Sequence, residues 1–146
     1  IEIYERMAET SDPESDGLLD RGEYLLGVGL VAIQQYLADT LTFTGIEKRH
    51  ALNLGPAYSE RLTFVAVLNA AANCWKHSAE RYTNTSPRKD AARSWEIVTE
   101  VGDANSYELS NVLAKLLHGS QVTLCSLLPN LILWRSALDR ERSKNA

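Results

Sequence analysis

Apolar side chains recur every three to four residues through long windows of this chain, and Gly, Pro or an Asn-Ser pair separates one window from the next. This spacing places the apolar side chains on one side of an α-helix. No segment shows the two-residue alternation of a β-strand over a useful length. The pattern therefore predicts an all-α protein.

The breaks between these windows predict a single bundle of about five helices joined by short connections. Pro56 suits a first helical position, and Asn105 three residues before a glutamate resembles a capping box. The predicted helices span about 18–43, 56–81, 86–101, 105–119 and 123–142. The connection at 45–55 has room for one helical turn, and Pro129 either kinks the last helix or lies near its first turn.

The length and the charge distribution predict two segments. With 146 residues, 45% of them hydrophobic, the chain is sized for one compact domain. The first sixteen residues hold six acidic residues and one arginine, so they carry −5 while the whole chain carries −4. We predict an acidic N-terminal arm at 1–16, ending in a loop or a poorly ordered lead-in, and a nearly neutral helical bundle domain at 17–146. A domain of this charge lacks the strongly basic character of many nucleic-acid-binding proteins.

Cysteine placement and hydropathy bear on where such a chain works. Cys74 and Cys125 each lie in an apolar window without a second thiol nearby, which predicts two buried free thiols. The longest stretch without Asp, Glu, Lys or Arg, 116–134, is interrupted by polar residues, so we predict no membrane span. The N-terminal residues lack the layout of a signal peptide, and we predict a cytoplasmic protein.

Patterns for common enzyme chemistry are few. His50 has no second histidine or acidic partner at metal-ligand spacing, and the Gly27-x-Gly29 pair lacks the strand before it that a dinucleotide loop needs. No nucleophile elbow or phosphate-binding loop occurs in the sequence. We therefore predict neither a metal site nor a cofactor.

The first predicted helix has two apolar faces. One follows Leu19, Leu26, Leu30, Ile33, Leu37 and Leu41, and the second follows Leu25, Val28 and Ala32. Two such faces are typical of a central bundle helix buried on both sides, or alternatively of a helix that forms a dimer. Gly27 and Gly29 lower helix propensity, so we expect another backbone to approach closely there.

A polar stripe marks the second half of the second predicted helix. Its members fall at spacings of three and four: Asn69, Asn73, Lys76, His77 and Glu80. One interpretation is a solvated bundle face with asparagines that cap nearby backbone groups. The other is a cleft-lining stripe, because asparagine is a poor choice for an exposed helix interior unless it makes specific hydrogen bonds.

The segment from Ala72 to His77 resembles the signature of HEPN-like helical domains, which is an arginine, a polar residue, three variable residues and a histidine on a long bundle helix. Asn73 matches the polar position and His77 matches the histidine. Ala72 stands where the family has its arginine. The all-helical layout from Gly17 onward is also similar to that family.

The resemblance implies a homodimer that binds RNA in a shared cleft and cleaves it without metal. His77 and Asn73 are then the catalytic candidates, with His77 acting on the ribose 2′-hydroxyl as general acid or base. Because the arginine position is Ala72, an inactive relative is an equal expectation. The implied setting is a toxin–antitoxin or defence pair, with a cognate antitoxin or a nucleotidyltransferase as partner. The alternative is a non-catalytic helical homodimer that acts as a protein-interaction or adaptor module.

Basic residues follow the motif and suggest how RNA would be held. We predict that substrate binds to Asn69, Lys76, Arg81, Arg88 and Lys89, with Arg93 nearby. Tyr82 and Trp95 have rings that can stack on a base. The competing interpretation is an ordinary exposed face, where Glu80, Asp90 and Glu96 pair with these cations.

Overall fold

The computed structural model describes residues 2–79, 89–104, 106–118 and 121–144, and those residues form an all-α structure. The described part contains seven α-helices rather than the five that the sequence predicted. They are α1 (Glu2–Glu9), α2 (Leu18–Thr42), α3 (Lys48–Ala51), α4 (Phe64–Lys76), α5 (Lys89–Gly102), α6 (Glu108–Leu117) and α7 (Leu128–Lys144). None of the described helices is long and apolar enough to cross a membrane.

Helices α2, α3 and α7 follow the predictions closely. The predicted span 18–43 becomes α2, and the predicted single turn in the connection becomes α3. A 3-10 turn at Leu124–Leu127 precedes α7, so Pro129 is the second residue of that helix and does not kink it. Proline is tolerated there because the first helical N–H groups have no partner within the helix.

The predicted start of α4 at Pro56 is wrong by eight residues. Residues 56–63 instead fold back on themselves, and the backbone N–H of Phe64 donates to the carbonyl of Pro56 at 2.9 Å. Helix α4 begins only where the Thr63 side chain accepts a hydrogen bond from the backbone N–H of Ala66, at 3.2 Å. The same hydroxyl donates to the carbonyl of Leu52, which anchors the cap to the preceding loop.

The N-terminus of α6 is capped from another helix. Glu23 on α2 accepts hydrogen bonds from the backbone N–H of Leu109 at 2.7 Å and of Ser110 at 3.0 Å. The adjacent Tyr107 adopts a left-handed backbone conformation and makes no side-chain cap. The predicted cap at Asn105 and the predicted stop at Gly119 lie outside the described residues.

Helix α4 is the central helix of the bundle. Eight of its thirteen residues are buried, and it packs against α2 and α5, while α6 packs against α5 and α2. The C-terminal helix closes another side through Trp134, which is fully buried and donates its indole N–H to the carbonyl of Ala51 at 2.9 Å. Gly55, at φ +88°, lets its loop turn directly over Trp134.

Gly27 and Gly29 on α2 allow close approach, but of side chains and not of the backbone that was expected. The indole of Trp75 occupies the space where Gly27 would carry a Cβ, and a methyl group of Leu124 does the same at Gly29. A Cβ at either position would overlap these atoms. The glycines therefore set how closely α4 and the turn before α7 dock on α2.

The acidic arm contains an α-helix that the sequence did not predict, followed by a turn. Helix α1 packs against α2, and in the turn the backbone N–H of Ser15 donates to Asp12. The side-chain carboxylate of Asp12 also accepts from the Ser15 hydroxyl, and these bonds lower the pKa of Asp12.

One of the two cysteine predictions is wrong. Cys74 is buried as predicted, whereas Cys125 is exposed because it lies on the outer side of the 3-10 turn.

Candidate functional site

The predicted polar stripe meets a buried glutamine from another helix. Gln34 on α2 is only 8% exposed, and its side-chain nitrogen donates to Oδ1 of Asn69 and to Oδ1 of Asn73, each at 2.9 Å. The same nitrogen lies 3.3 Å from the backbone carbonyl of Asn69. The carboxamides of both asparagines therefore bind across the α2–α4 interface.

Two more side chains complete this network. The ammonium group of Lys76 donates to Oε1 of Gln34 at 2.6 Å, so both ends of the Gln34 amide are engaged. The side-chain nitrogen of Asn73 donates to the hydroxyl of Ser94 on α5 at 3.4 Å, and Ser94 donates to the carbonyl of Asp90. We call Gln34, Asn69, Asn73, Lys76 and Ser94 the polar cluster. It ties together α2, α4 and α5.

Three members of the polar cluster, Asn69, Asn73 and Lys76, belong to the predicted polar stripe, whereas Gln34 and Ser94 were not predicted. The available signal was that Gln34 lies between Leu30 and Leu37, in the stripe of α2 that faces the core. A polar residue in such a stripe requires hydrogen-bond partners, because burial without them is costly. The asparagines supply those partners, which explains why α4 tolerates two of them.

The histidine of the HEPN-like segment lies at the end of α4. His77 is the C-terminal cap, its backbone N–H donates to the carbonyl of Asn73 at 3.0 Å, and its side chain is partly buried. Ala72, at the position of the family's arginine, is 0% exposed within the core. A cation at that position would lie among apolar side chains, so this part of the motif has no counterpart here.

Three of the predicted basic residues lie on the adjoining helices α4 and α5. Two contacts show that α4 and α5 run antiparallel: Asn73 donates to Ser94, and Arg61, just before α4, donates to Glu100 near the end of α5. The end of α4 therefore lies beside the first half of α5. Lys76, Lys89 and Arg93 are all exposed at this end of the bundle. The predicted residues Arg81 and Arg88, together with Glu80 and Tyr82, lie outside the described residues.

The outer face of α2 is a second candidate surface, and it is exposed, so the described fold does not bury α2 on both sides. We define it by six exposed residues at intervals of four and three: Arg21, Leu25, Val28, Ala32, Gln35 and Asp39. Leu25 is 54% exposed and Val28 is 44% exposed. Tyr24, Tyr36 and Phe43 flank this face and are also more than two-fifths exposed. An apolar helix face left open to solvent is typical of a surface that binds another protein.

Histidine and acidic residues do not assemble into a metal site within the described ranges. His50 instead contacts Glu141 on α7, with 3.0 Å between its Nε2 and the carboxylate oxygen. His118 caps the C-terminus of α6, and its ring stacks on Tyr58.

Comparison with known proteins adds no family. No protein-family model matches this chain, and no match is found among curated proteins or among solved structures. The resemblance to HEPN-like domains therefore stays a prediction from the sequence.

Proposed function

We propose that this chain is a non-catalytic helical module that works as a homodimer and forms its interface on the outer face of α2. The observation that carries the proposal is the exposure of Leu25 and Val28 in the middle of the longest described helix. Burying such side chains against a second copy removes apolar area from water, which is the main driving force of association. The module would then act in protein interaction, as an adaptor.

The polar cluster supports the non-catalytic part of this proposal. Asn69 and Asn73 bind Gln34, and Lys76 binds the other end of the same amide. Groups committed to a network between helices stabilise the fold and are poorly placed to change partners during a reaction. Ala72 in the core leaves no cation at the position that would stabilise charge growing on a phosphate.

Sedimentation equilibrium tests this proposal. We expect the native chain to be a dimer at micromolar concentration, and the double variant Leu25→Ser/Val28→Ser to dissociate at least tenfold more readily because it loses apolar contact area. Ile132→Ser on α7 is the matched control, since Ile132 has nearly the same exposed fraction as Leu25, 56% against 54%. A native chain that is monomeric at hundreds of micromolar overturns the proposal.

RNA binding by a HEPN-like module is the second candidate function. It is supported by Lys89 and Arg93, which are exposed in the first turns of α5. Two such cations can bind the phosphates of RNA in a salt-dependent way. In this candidate the chain is a metal-independent endoribonuclease, or its inactive relative, paired with an antitoxin or a nucleotidyltransferase.

Two measurements separate the parts of this second candidate. Cleavage of RNA without added metal, compared between the native chain and His77→Ala at matched folded concentration, tests the catalytic role of His77. Equal cleavage by the two proteins, including none by either, removes that role. Lys89→Ala tests binding alone, and RNA affinity that does not fall in this variant removes the basic end as the binding surface.

A further inference from the structure

We infer that two copies of this chain pair with their α2 helices antiparallel, in a register centred at the level of Leu30. This inference rests on the proposed homodimer and adds the direction, the register and the paired residues. It is drawn from the spacing, exposure and charge of the outer face of α2.

The spacing of the outer face is that of a coiled coil. From Arg21 the exposed positions follow at intervals of four, three, four, three and four residues, ending at Asp39. Alternating intervals of four and three form a seven-residue repeat, which keeps one narrow seam facing a partner helix along its whole length. The seam extends over 18 residue steps, about 27 Å of helix, and lies within the 25 residues of α2.

The seam is complementary to itself when one helix is reversed. An antiparallel partner centred at Leu30 places Val28 against the partner's Ala32 and Leu25 against the partner's Gln35. The same register places Arg21 against the partner's Asp39. A two-fold axis repeats every pair, as a symmetric homodimer requires. The paired side chains also fit in size. Leu25 packs on the aliphatic part of the partner's Gln35, and Val28 packs on the partner's Ala32 at the centre of the seam.

Charge decides the direction of the two helices. In the antiparallel register each Arg21 meets an aspartate of the other copy, and the two opposite charges attract. In a parallel register at the same level, Arg21 meets the partner's Arg21 and Asp39 meets the partner's Asp39, and both contacts repel. Gln35 donates to Asp39 at 2.7 Å within the same helix, which orients the carboxylate on the seam.

Charge reversal tests the direction independently of dimer formation. In an antiparallel dimer, Arg21→Asp alone places two like charges together at both ends of the seam, and Asp39→Arg alone does the same. We expect each single variant to dissociate at least about fivefold more readily at low salt, with a smaller effect at high salt. The double variant Arg21→Asp/Asp39→Arg restores the attraction, so its dissociation constant returns to within about twofold of the native value.

The outcomes distinguish this inference from the proposed function. A dimer that Leu25→Ser/Val28→Ser disrupts, but that charge reversal leaves unchanged, overturns the antiparallel register and leaves the homodimer standing. A chain that never dimerises overturns both. Disulfide trapping gives a second measurement in a Cys125→Ser background: chains with Val28→Cys should cross-link to chains with Ala32→Cys faster than either variant cross-links to itself. Faster linking of Val28→Cys chains to each other overturns the register.

Discussion

The inner face of α2 is buried in the bundle, whereas its outer face is exposed to solvent. The inner face buries Leu30 and Leu37 together with the polar Gln34, whose amide is fully engaged by α4. The outer face exposes Leu25 and Val28 to solvent. The buried Gln34 amide has hydrogen-bond partners, whereas the described part of the chain leaves Leu25 and Val28 in contact with water. This difference teaches that the described fold gives the polar groups inside α2 their hydrogen-bond partners and leaves the outer face of α2 open for association.

The comparison is tested most strongly by truncating one apolar residue on each face. Leu30→Ala removes a side chain that is 2% exposed, and we expect it to lower the free energy of unfolding by about 2–5 kcal/mol. Val28→Ala on the outer face should change it by less than about 0.5 kcal/mol in the monomer. Urea denaturation at concentrations too low for dimer formation measures both. Equal losses would show that the outer face is packed within the chain.

The second largest difference in stability is expected between variants of two neighbouring glutamines on α2, Gln34 and Gln35. Gln34→Ala leaves the acceptors of Asn69 and Asn73 and the ammonium of Lys76 without their central partner, so we expect a loss of about 1–3 kcal/mol. Gln35→Ala removes an exposed hydrogen bond to Asp39 and should change stability by less than about 0.5 kcal/mol. Thermal unfolding of the two variants provides the measurement. A Gln34→Ala variant as stable as Gln35→Ala would mean that the polar cluster does not stabilise the bundle.

The smallest expected effect on stability comes from the contacts of Glu141 with Lys144 and His50. Hydrogen bonds from Lys144 and His50 lower the pKa of Glu141 below its ordinary value. A lowered pKa in the folded chain means that this contact stabilises the protein above the ordinary carboxyl pKa. The stabilisation is lost as the pH falls through the lowered value. The free energy of unfolding can be measured from about pH 7 to about pH 3. Over this range it should fall slightly less steeply for Glu141→Gln than for the native chain. An identical pH dependence would show that the contact does not stabilise the fold.

Local sequence pattern accounts for much of the fold but little of the polar cluster. The span of α2, the single turn of α3 and the position of Pro129 follow from spacing and helix-start preferences. The start of α4 does not, because Pro56 fits a helix start and a folded-back loop equally well. The hydrogen bond from the Ala66 N–H to the Thr63 hydroxyl places the start of α4 at Phe64.

The candidate sites show the same limit. Gln34 and Asn69 are 35 residues apart, and only the docking of α2 on α4 brings them together. Spacing within one helix found the stripe of Asn69 and Asn73 but could not choose between solvent, cleft and a neighbouring helix. The two apolar faces of α2 were also evident, yet their burial depends on how many helices surround them.

Because Glu23 on α2 caps the N-terminus of α6, the stability of α6 depends on α2. The N–H groups of Leu109 and Ser110 have their acceptors 86 and 87 residues earlier in the chain. Helix α6 has only 10 residues, too few to be stable in water by itself. A fragment that contains α6 without α2 should therefore remain largely unstructured, and in the growing chain α6 becomes stable only after it meets a helix already made.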